Sequence, residues 1–505
     1  MLGGRDGRPL QLVLGASGYV GTNLVPRLLE AGARVRAAAR NPQVLEARRW
    51  TGVEIVAADA LDPASLDLAL AGVAIAYYLV HSMTAGRGFD IVEREAAQTF
   101  GAAAARAGVR RIVYLGGLIP PNPRSRHLRS REETGRILRA SGVPVTELRA
   151  GMIIGPGSAA YEVIRDLVNH LPVMTTPSWV RSRSTPIALD DLLDYLVAVG
   201  GLESAAGRIL EAGGAEAVTY EQVMRCYAGL VGKQPRIIAV PVLTPRLSSY
   251  WLRLVTSVPT GIARALVEGL EHDFLANDAE LRRLVPLPLK GLEAAIRAAI
   301  DADRSHTVLA RWVEGAIACR NFRPEYAFYA MRASGKASGP VPSATVFDTV
   351  CRIGNDEERW YYANPLWDLR RDIDWLLGGP SLRRKRRHPT ELRVGDVVDS
   401  WRVIAIEPGR RLTLLMEMRA PGAGVLEFVV EPASVEGETS VSATAYWHPA
   451  GVWGLLYWYA LVPAHLFLFA GLTRAIIARA TGRATAELDS GDSQSGSSIP
   501  RGPNR

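Results

Sequence analysis

The chain is poor in cysteine. Its 505 residues include only three, Cys226, Cys319 and Cys351, which lie far apart and form no CxxC pair. That spacing excludes a disulfide framework and a zinc ribbon, and it favours a reducing, cytoplasmic location. The sequence also offers neither a cluster of metal ligands nor a nucleophile triad, so we predict no metal site.

An excess of charge of one sign is also missing. The chain has 59 basic and 51 acidic residues, and its net charge of +8 is spread along its length. Such a mild excess attracts anionic ligands weakly and argues against a nucleic-acid-binding protein. The sequence does not indicate the oligomeric state.

The N-terminal half contains a regular alternation of predicted strands and helices. Short apolar runs such as LQLVLGA, VAIAYYLVHS and VRRIVYLGGL alternate with segments of helical periodicity. Strands that alternate with helices predict a parallel sheet with helices on both faces. The fold class predicted here is therefore a doubly wound, Rossmann-like α/β domain.

A glycine-rich loop, GASGYVG, follows the first apolar run and opens a helix. Glycines at these positions allow a tight turn and let backbone N–H groups approach a pyrophosphate, and the positive end of the helix points at the same spot. The motif alone is weak, but its strand–loop–helix–strand setting strengthens it. The predicted pyrophosphate cradle consists of Gly15, Ala16, Ser17, Gly18, Tyr19, Val20 and Gly21.

The second strand ends in Arg40, where an acid would bind the ribose of NAD. An arginine there suits the 2′-phosphate of NADP, so we predict NADP as the cofactor, with NAD as the alternative; Arg36 is a second candidate. Further cofactor contacts are expected where the later strands end. These residues are Asp59 and Ala60 after the third strand, Val80, His81 and Ser82 after the fourth, and Gly116 on the fifth.

Together, GASGYVG, Arg40, YLVHSM and ELRAGMIIGPGSA resemble an atypical or extended short-chain dehydrogenase/reductase of the NmrA-like kind. The resemblance covers about the first 300 residues. It implies an NAD(P)-binding domain over residues 1–310, in which residues 151–300 complete the sheet and supply the substrate side.

The catalytic pattern of that family is absent. Its active members carry a serine on the fifth strand and Tyr-x-x-x-Lys on the following helix; here these positions read Gly116-Gly117 and His127-x-x-x-Arg131. Imidazole can donate a proton near neutral pH, whereas arginine stays protonated and cannot relay one. Three interpretations stay open: His127 is an acid with Arg131 as its electrostatic partner, the pair only binds cofactor or ligand, or His127 is a surface residue.

The second half shows a different pattern of predicted secondary structure. Four half-alternating strands bounded by glycine and proline turns predict an antiparallel meander, and a long apolar helix follows. The stretch WRVIAIEPGRRLTLLMEMRAPGAGVLEFVVEP resembles the START/polyketide-cyclase-like superfamily. The resemblance implies an α+β helix-grip domain over residues 311–485, with an apolar cavity for a small apolar ligand, and residues 486–505 are predicted to be a disordered tail.

The long apolar segment is unusual. From Thr439 to Thr473 there is no Asp, Glu, Lys or Arg. Its length suits a membrane span, but Pro463 and His465 lie in mid-run, so we favour a buried helix. The alternative is that the helix enters a membrane, with Trp453, Tyr457, Trp458 and Tyr459 as an interfacial belt and Arg474 as the far anchor. Peripheral membrane contact through residues 451–472 also stays open.

Three hypotheses about function follow. The first is an NADP(H)-dependent oxidoreductase that reduces an apolar carbonyl or quinone-like compound. The second is a non-catalytic NADP(H)-binding sensor, regulator or assembly factor. The third is a membrane-associated, lipid-handling protein that uses NADP only as structure.

Overall fold

The structure, a computed structural model, describes residues 8–80, 88–120, 125–240, 273–305, 308–309, 331–355, 358–376, 386–433, 437–449 and 451–495. The chain divides into two compact units, Met1–Ala318 and Cys319–Arg505. Each unit has its own sheet.

The first unit is built on a seven-stranded, wholly parallel sheet in the order β11-β6-β5-β4-β1-β2-β3. This sheet confirms the predicted doubly wound α/β fold. Its strands are β1 (Leu10–Leu14), β2 (Arg34–Ala39), β3 (Val53–Ala57), β4 (Val73–Tyr78), β5 (Arg111–Gly117), β6 (Val145–Ala150) and β11 (Ile209–Ala212). Short pairs outside it are β7 (Ile153–Ile154) with β10 (Ile187–Ala188), β9 (Arg183–Ser184) with β12 (Val218–Thr219), and β8 (Val173–Pro177) with β13 (Arg236–Val240).

Ten α-helices accompany these strands in the described part of the unit. They are α1 (Tyr19–Glu30), α2 (Pro42–Glu46), α3 (Pro63–Leu70), α4 (Phe89–Arg106), α5 (Arg126–Arg139), α6 (Ala159–His170), α7 (Leu189–Gly201), α8 (Tyr220–Leu230), α9 (Ala279–Leu284) and α10 (Leu292–Arg304).

Alternation along β1 explains why helices cover both faces of the sheet. Val13 points into a core with Leu24 of α1 and Leu196 of α7. Its neighbours Leu12 and Leu14 point the other way, into a core that α3, α4 and α5 complete. All three strand residues are fully buried, as expected when successive side chains take opposite faces of a sheet covered on both sides.

The second unit holds a six-stranded antiparallel sheet in the order β14-β19-β18-β17-β16-β15. Its strands are β14 (Met331–Gly339), β15 (Val397–Val398), β16 (Trp401–Glu407), β17 (Arg411–Met416), β18 (Gly422–Pro432) and β19 (Thr439–Pro449); its helices are α11 (Ser343–Cys351), α12 (Asn364–Leu376) and α13 (Gly451–Ser495). The predicted meander and its closing helix are confirmed, whereas the assignment to the START-like superfamily stays a prediction.

One element of this sheet has no counterpart among the predicted strands. No strand is predicted from the sequence for residues 331–339, yet they form β14, which pairs with β19 along its whole length. The small residues serve close packing: a side chain at Gly335 would overlap the backbone of Phe469 in α13. Glycine therefore marks a close approach of helix and strand here, not a loop.

Helix α13 is buried only in part. Leu468, Phe469, Leu472 and Ile476 pack into the core formed by the sheet and α11. The first turns of the helix expose large apolar side chains instead, so the interpretation as a buried helix is wrong for them. The apolar cavity implied by the START-like resemblance stays a prediction. The helix continues to Ser495, past residue 486 where the predicted tail begins.

Candidate functional site

The candidate site lies at the carboxyl end of the parallel sheet, where β1 meets β2 and β4. After β1 the chain turns at Gly15, whose φ of +91° favours glycine. The N–H groups of Gly15 and Ala16 donate to the carbonyl of Ala38 in β2, at 3.1 and 3.2 Å. These bonds hold the start of the loop against the end of the neighbouring strand.

The glycines of the loop are required by close backbone packing. A Cβ at Gly21 would overlap the carbonyl oxygen of Gly15, and a Cβ at Gly15 would lie 3.0 Å from the carbonyl oxygen of Leu79. The buried hydroxyl of Thr22 donates to the Ala16 carbonyl at 2.9 Å, which ties the helix to the loop. The loop is therefore held in one tight conformation from both sides.

Helix α1 begins directly at this loop. Its N-cap is Gly18, and no side chain among the described residues caps it. A Cβ at Gly18 would meet only the Gly15 oxygen within 4 Å, so the outer side of the turn is open. Uncapped N–H groups at the positive end of a helix, beside a concave backbone, fit the pyrophosphate of a dinucleotide. Ser17, Tyr19 and Val20 are the other residues predicted to belong to this pyrophosphate cradle.

The two arginines proposed for the 2′-phosphate lie in different places. Arg40 is exposed just beyond β2, two residues after Ala38, which receives the loop's hydrogen bonds. Arg36 binds Glu54 at 2.8 Å and the carbonyls of Ala69 and Ala71 at the opposite end of the sheet. Arg36 is therefore wrong as a phosphate ligand, and Arg40 remains the candidate.

Asp59 and Ala60 follow β3 and form a compact turn. The Asp59 carboxylate accepts the N–H of Leu61 at 3.0 Å, and its own N–H donates to the hydroxyl of Ser65 at 3.1 Å. Ala60 is buried. This network fixes the backbone of the turn at the edge where the adenine side of the dinucleotide is predicted.

The end of β4 adjoins the loop directly. The N–H of Leu79 donates to the carbonyl of Leu14 at 3.0 Å, which places the half-buried Val80 next to the glycine turn. His81 and Ser82, the other two predicted contacts, lie outside the described residues.

Strand β5 ends in two glycines, Gly116 and Gly117, which carry no side chain. Gly116 lies close to Tyr114 and Arg149, while a Cβ at Gly117 would meet no atom of the described residues within 4 Å. The strand end where the resembling family carries serine is therefore not filled by any described side chain. Tyr114 itself is fully buried, and its hydroxyl donates to the carbonyl of Arg131 at 3.1 Å, as befits a core residue.

His127 and Arg131 occupy the first two turns of α5. His127 is half-buried in the turn nearest the carboxyl end of β5. Arg131 faces the carboxylate of Glu93 on α4, which is buried and also accepts from the hydroxyl of Ser130. Burial lowers the pKa of Arg131, but Tyr114 and Glu93 outweigh it, so the pKa is raised and the guanidinium stays charged. These surroundings explain Arg131 as the partner of a buried acid.

Two hydroxyl groups that sequence reasoning missed lie in the segment 151–300, which is predicted to supply the substrate side. The buried Ser184 reaches the end of β6, where its Oγ lies 3.9 Å from the position of a Cβ on Gly151. Tyr220 follows β12, which pairs with β9. Burial raises the pKa of Tyr220 to about 12, and the neighbouring Ser184 hydroxyl offsets part of that rise, so the phenol is neutral at physiological pH. For Ser184, the signal in the sequence was the stretch VRSRSTPIAL, which contains it; Tyr220 lies outside that stretch.

Two family models match this chain. One, described as NAD(P)H-binding, matches residues 15–170. The other, described as a protein of unknown function, DUF2867, matches residues 327–472. The first confirms that the glycine loop belongs to an NAD(P)H-binding domain; the second covers β14 to the middle of α13.

Similar proteins include two reductases. The (4-alkanoyl-5-oxo-2,5-dihydrofuran-3-yl)methyl phosphate reductase of Streptomyces griseus is 31% identical over 271 residues, which cover 52% of this chain and 86% of that protein. The ceramide reductase of Caulobacter vibrioides is 28% identical over 296 residues, covering 56% of this chain and 90% of that protein. Among solved structures, the triphenylmethane reductase of Citrobacter sp. complexed with NADP(H) is 19% identical, with a TM-score of 0.49, and covers 57% of this chain and 99% of its own.

Proposed function

Because this chain belongs to the NAD(P)H-binding reductase family of its Streptomyces griseus relative, we propose that it is an NADP(H)-dependent oxidoreductase that reduces an apolar carbonyl or quinone-like compound. The observation that carries the proposal is the glycine cradle between β1 and α1, at the same sheet edge as Gly117, which no described side chain covers. A dinucleotide bound there supplies hydride to a substrate at that strand end.

The preference for NADP rests on Arg40. Its exposed side chain stands at the end of β2, where the ribose of the adenine half would lie, and no acid takes its place there. A guanidinium binds a phosphate bidentately and gains little from a ribose hydroxyl.

The proton donor in this proposal is His127. The half-buried imidazole lies in the first turn of α5, at the sheet end to which β5 also points. Imidazole is the side chain whose ordinary pKa lies closest to neutrality. Ser184 and Tyr220 would orient the substrate oxygen from the β6 side as neutral donors.

The names of two relatives support the substrate class. One acts on a compound whose name includes an alkanoyl group, and the other is named for ceramide. An alkanoyl group is an alkyl chain attached to a carbonyl carbon. We therefore favour a substrate in which the reducible group adjoins an alkyl chain. We also propose that the protein is located in the cytoplasm.

The test is NADPH oxidation, followed by absorbance at saturating NADPH, with a panel of acyl ketones, enones and quinones. His127→Gln should lower kcat by about a hundredfold with little change in NADPH affinity, since a general acid acts only in the chemical step. Ser184→Ala should raise KM more than it lowers kcat, because a positioning hydroxyl also binds the ground state.

The matched control is Arg129→Ala, an exposed position on the same helix. Its activity should equal that of the unaltered protein. Turnover by His127→Gln at the rate of this control would remove His127 from the mechanism while leaving the reductase assignment intact.

The alternative is a non-catalytic NADP(H)-binding sensor. It is favoured by Arg131, which neutralises Glu93 in the interior and so does not stand in for the missing lysine. NADPH that binds tightly but is not oxidised with any member of the panel would support the sensor and contradict the reductase.

A further inference from the structure

The first half of α13 presents an apolar surface to solvent. Trp453 is 75% exposed and Leu466 is 78% exposed, and between them Leu456 and Tyr459 are exposed as well. Phe467 completes the set. Residues three or four apart share one face of a helix, so these side chains form a stripe about four turns long. We call Trp453, Leu456, Tyr459, Leu466 and Phe467 the apolar stripe.

The stripe is fixed in place by the opposite side of the same helix. The indole of Trp447 in β19 donates to the carbonyl of Gly454 at 3.2 Å. Arg370 of α12 donates to the hydroxyl of Tyr457 at 2.7 Å. Trp458 is buried and packs on His465. The exposed face is therefore a preformed surface.

Helix α12 carries a second apolar row. Leu369, Ile373 and Leu376 are exposed and lie on one face of that helix, at spacings of four and three residues. Through Arg370, the same helix contacts the beginning of α13. Exposed apolar side chains thus occur on two neighbouring helices at this end of the second unit, more than scattered surface residues would give.

The charges around the stripe are mainly basic. Arg474, exposed, follows Phe467 by seven residues and so lies on the same face of α13. Arg419 is exposed in the connection from β17 to β18, where its N–H donates to Asp374 of α12. The exposed acid on α12, Asp372, lies 3.8 Å from Arg371. Residues 439–473 carry no acid at all. This pattern is complementary to an anionic surface.

A span across the membrane is inconsistent with the packing of the helix. Residues 453–482 are long and apolar enough to cross a bilayer, and about a third of that most apolar window is buried. Most of the buried residues of α13 lie in the half from Leu468 to Ala480, which forms the core with the sheet. A helix that keeps this core can place only its first half in lipid.

We infer that the apolar stripe docks the protein onto the surface of an anionic lipid bilayer, with the first half of α13 lying in the interface. Trp453 and Tyr459 suit the headgroup level, Leu456 and Leu466 enter the acyl boundary, and Arg474 meets lipid phosphate. The docking does not depend on the reductase assignment, since it rests on the second unit alone.

The test is co-sedimentation of the full chain with vesicles of phosphatidylcholine, alone or mixed with phosphatidylglycerol. We expect binding to the mixed vesicles and a blue shift of Trp emission that Trp453→Phe reduces. Leu456→Glu with Leu466→Glu should weaken binding by at least about tenfold, because both exposed side chains would carry charge into the interface. Arg474→Gln should weaken binding to the mixed vesicles by about fivefold, the equivalent of ~1 kcal/mol per basic residue.

The matched control is Leu68→Glu on α3, a leucine that is 77% exposed in the first unit. It should bind vesicles like the unaltered chain, and circular dichroism should show that every variant keeps its fold. Equal sedimentation of the double variant and the control would overturn the inference. So would a concentration-dependent dimer, seen by analytical ultracentrifugation, that the double variant abolishes, since a second copy would then cover the stripe.

Discussion

The two sides of the same sheet edge are held by different means. On the β1–β2 side, backbone fixes the shape: Gly15 and Ala16 bond to Ala38, and Gly21 leaves no room for a side chain. On the β5–β6 side, no described side chain covers Gly117, and the polar groups come from α5 and from the distant Ser184. The shape of the first side is thus fixed by the backbone, whereas the second side can change its chemistry without changing the fold.

The largest effect expected is on stability, from Arg131→Met. It leaves the buried carboxylate of Glu93 without its charged partner and should lower the free energy of unfolding by about 3–5 kcal/mol. The double variant Glu93→Gln, Arg131→Met should recover most of the loss in urea denaturation. NADPH affinity should stay within about twofold; a large loss of affinity with unchanged stability would instead place Arg131 at the cofactor.

Next comes Gly21→Ala, which tests the backbone side. The new Cβ overlaps the Gly15 carbonyl and must open the loop, so NADPH affinity should fall by about a hundredfold, ~2.7 kcal/mol. Fluorescence titration measures it. Gly229→Ala is the matched control, because a Cβ there meets nothing within 4 Å and a helical alanine should stabilise α8 by about 0.5–1 kcal/mol. Similar binding by both variants would contradict the cradle.

A smaller, selective effect is expected from Arg40→Asp. It should lower affinity for NADPH relative to NADH by about tenfold, since a carboxylate repels the 2′-phosphate and accepts from the ribose hydroxyl. Isothermal titration with both nucleotides gives the ratio. Arg110→Asp makes the same charge change at the start of β5, at the other end of the sheet, and should leave that ratio unaltered.

The smallest effect concerns the ion pair between Arg27 of α1 and Asp190 of α7. Burial tends to raise the pKa of Asp190, but Lys290 and Arg27 outweigh it, so the pKa is lowered. Its stabilising contribution is therefore present above the unfolded pKa of about 3.9 and is lost as the pH falls through the lowered folded value. Because Asp190 is 43% exposed, Asp190→Asn should cost only about 0.5 kcal/mol at neutral pH. Urea denaturation across that range should show the difference from the unaltered chain vanish in acid.

The backbone side of the site was predictable because its constraints lie within a few residues of one another. Gly15, Gly18 and Gly21 stand on one turn, and Arg40 ends the next strand along the chain. Ser184 and Tyr220 could not be found in this way, since their position depends on β9 pairing with β12 far along the sequence. The prediction for Arg36 was wrong for a related reason. The end of the sheet that its side chain reaches is set by its contacts with Glu54 and with the end of α3.

The second unit shows the same limit for the fold. The meander from β15 to β19 was predictable because its turns are local. Strand β14 was not, since its small residues, Gly335 and Gly339 among them, lack the alternation of a strand. What makes them a strand is a partner about a hundred residues away, β19, and the close approach of α13.

That pairing of β14 with β19 also sets the order of events during synthesis. The parallel sheet of the first unit is complete once β11 has left the ribosome, so that unit can fold while the rest is being made. Strand β14 is made before the other strands of the second unit, yet it gains its neighbour from β19 and its cover from α13, about a hundred residues later. The second sheet can therefore close only after α13 has been made, and until then the edge of β14 that pairs with β19 is exposed.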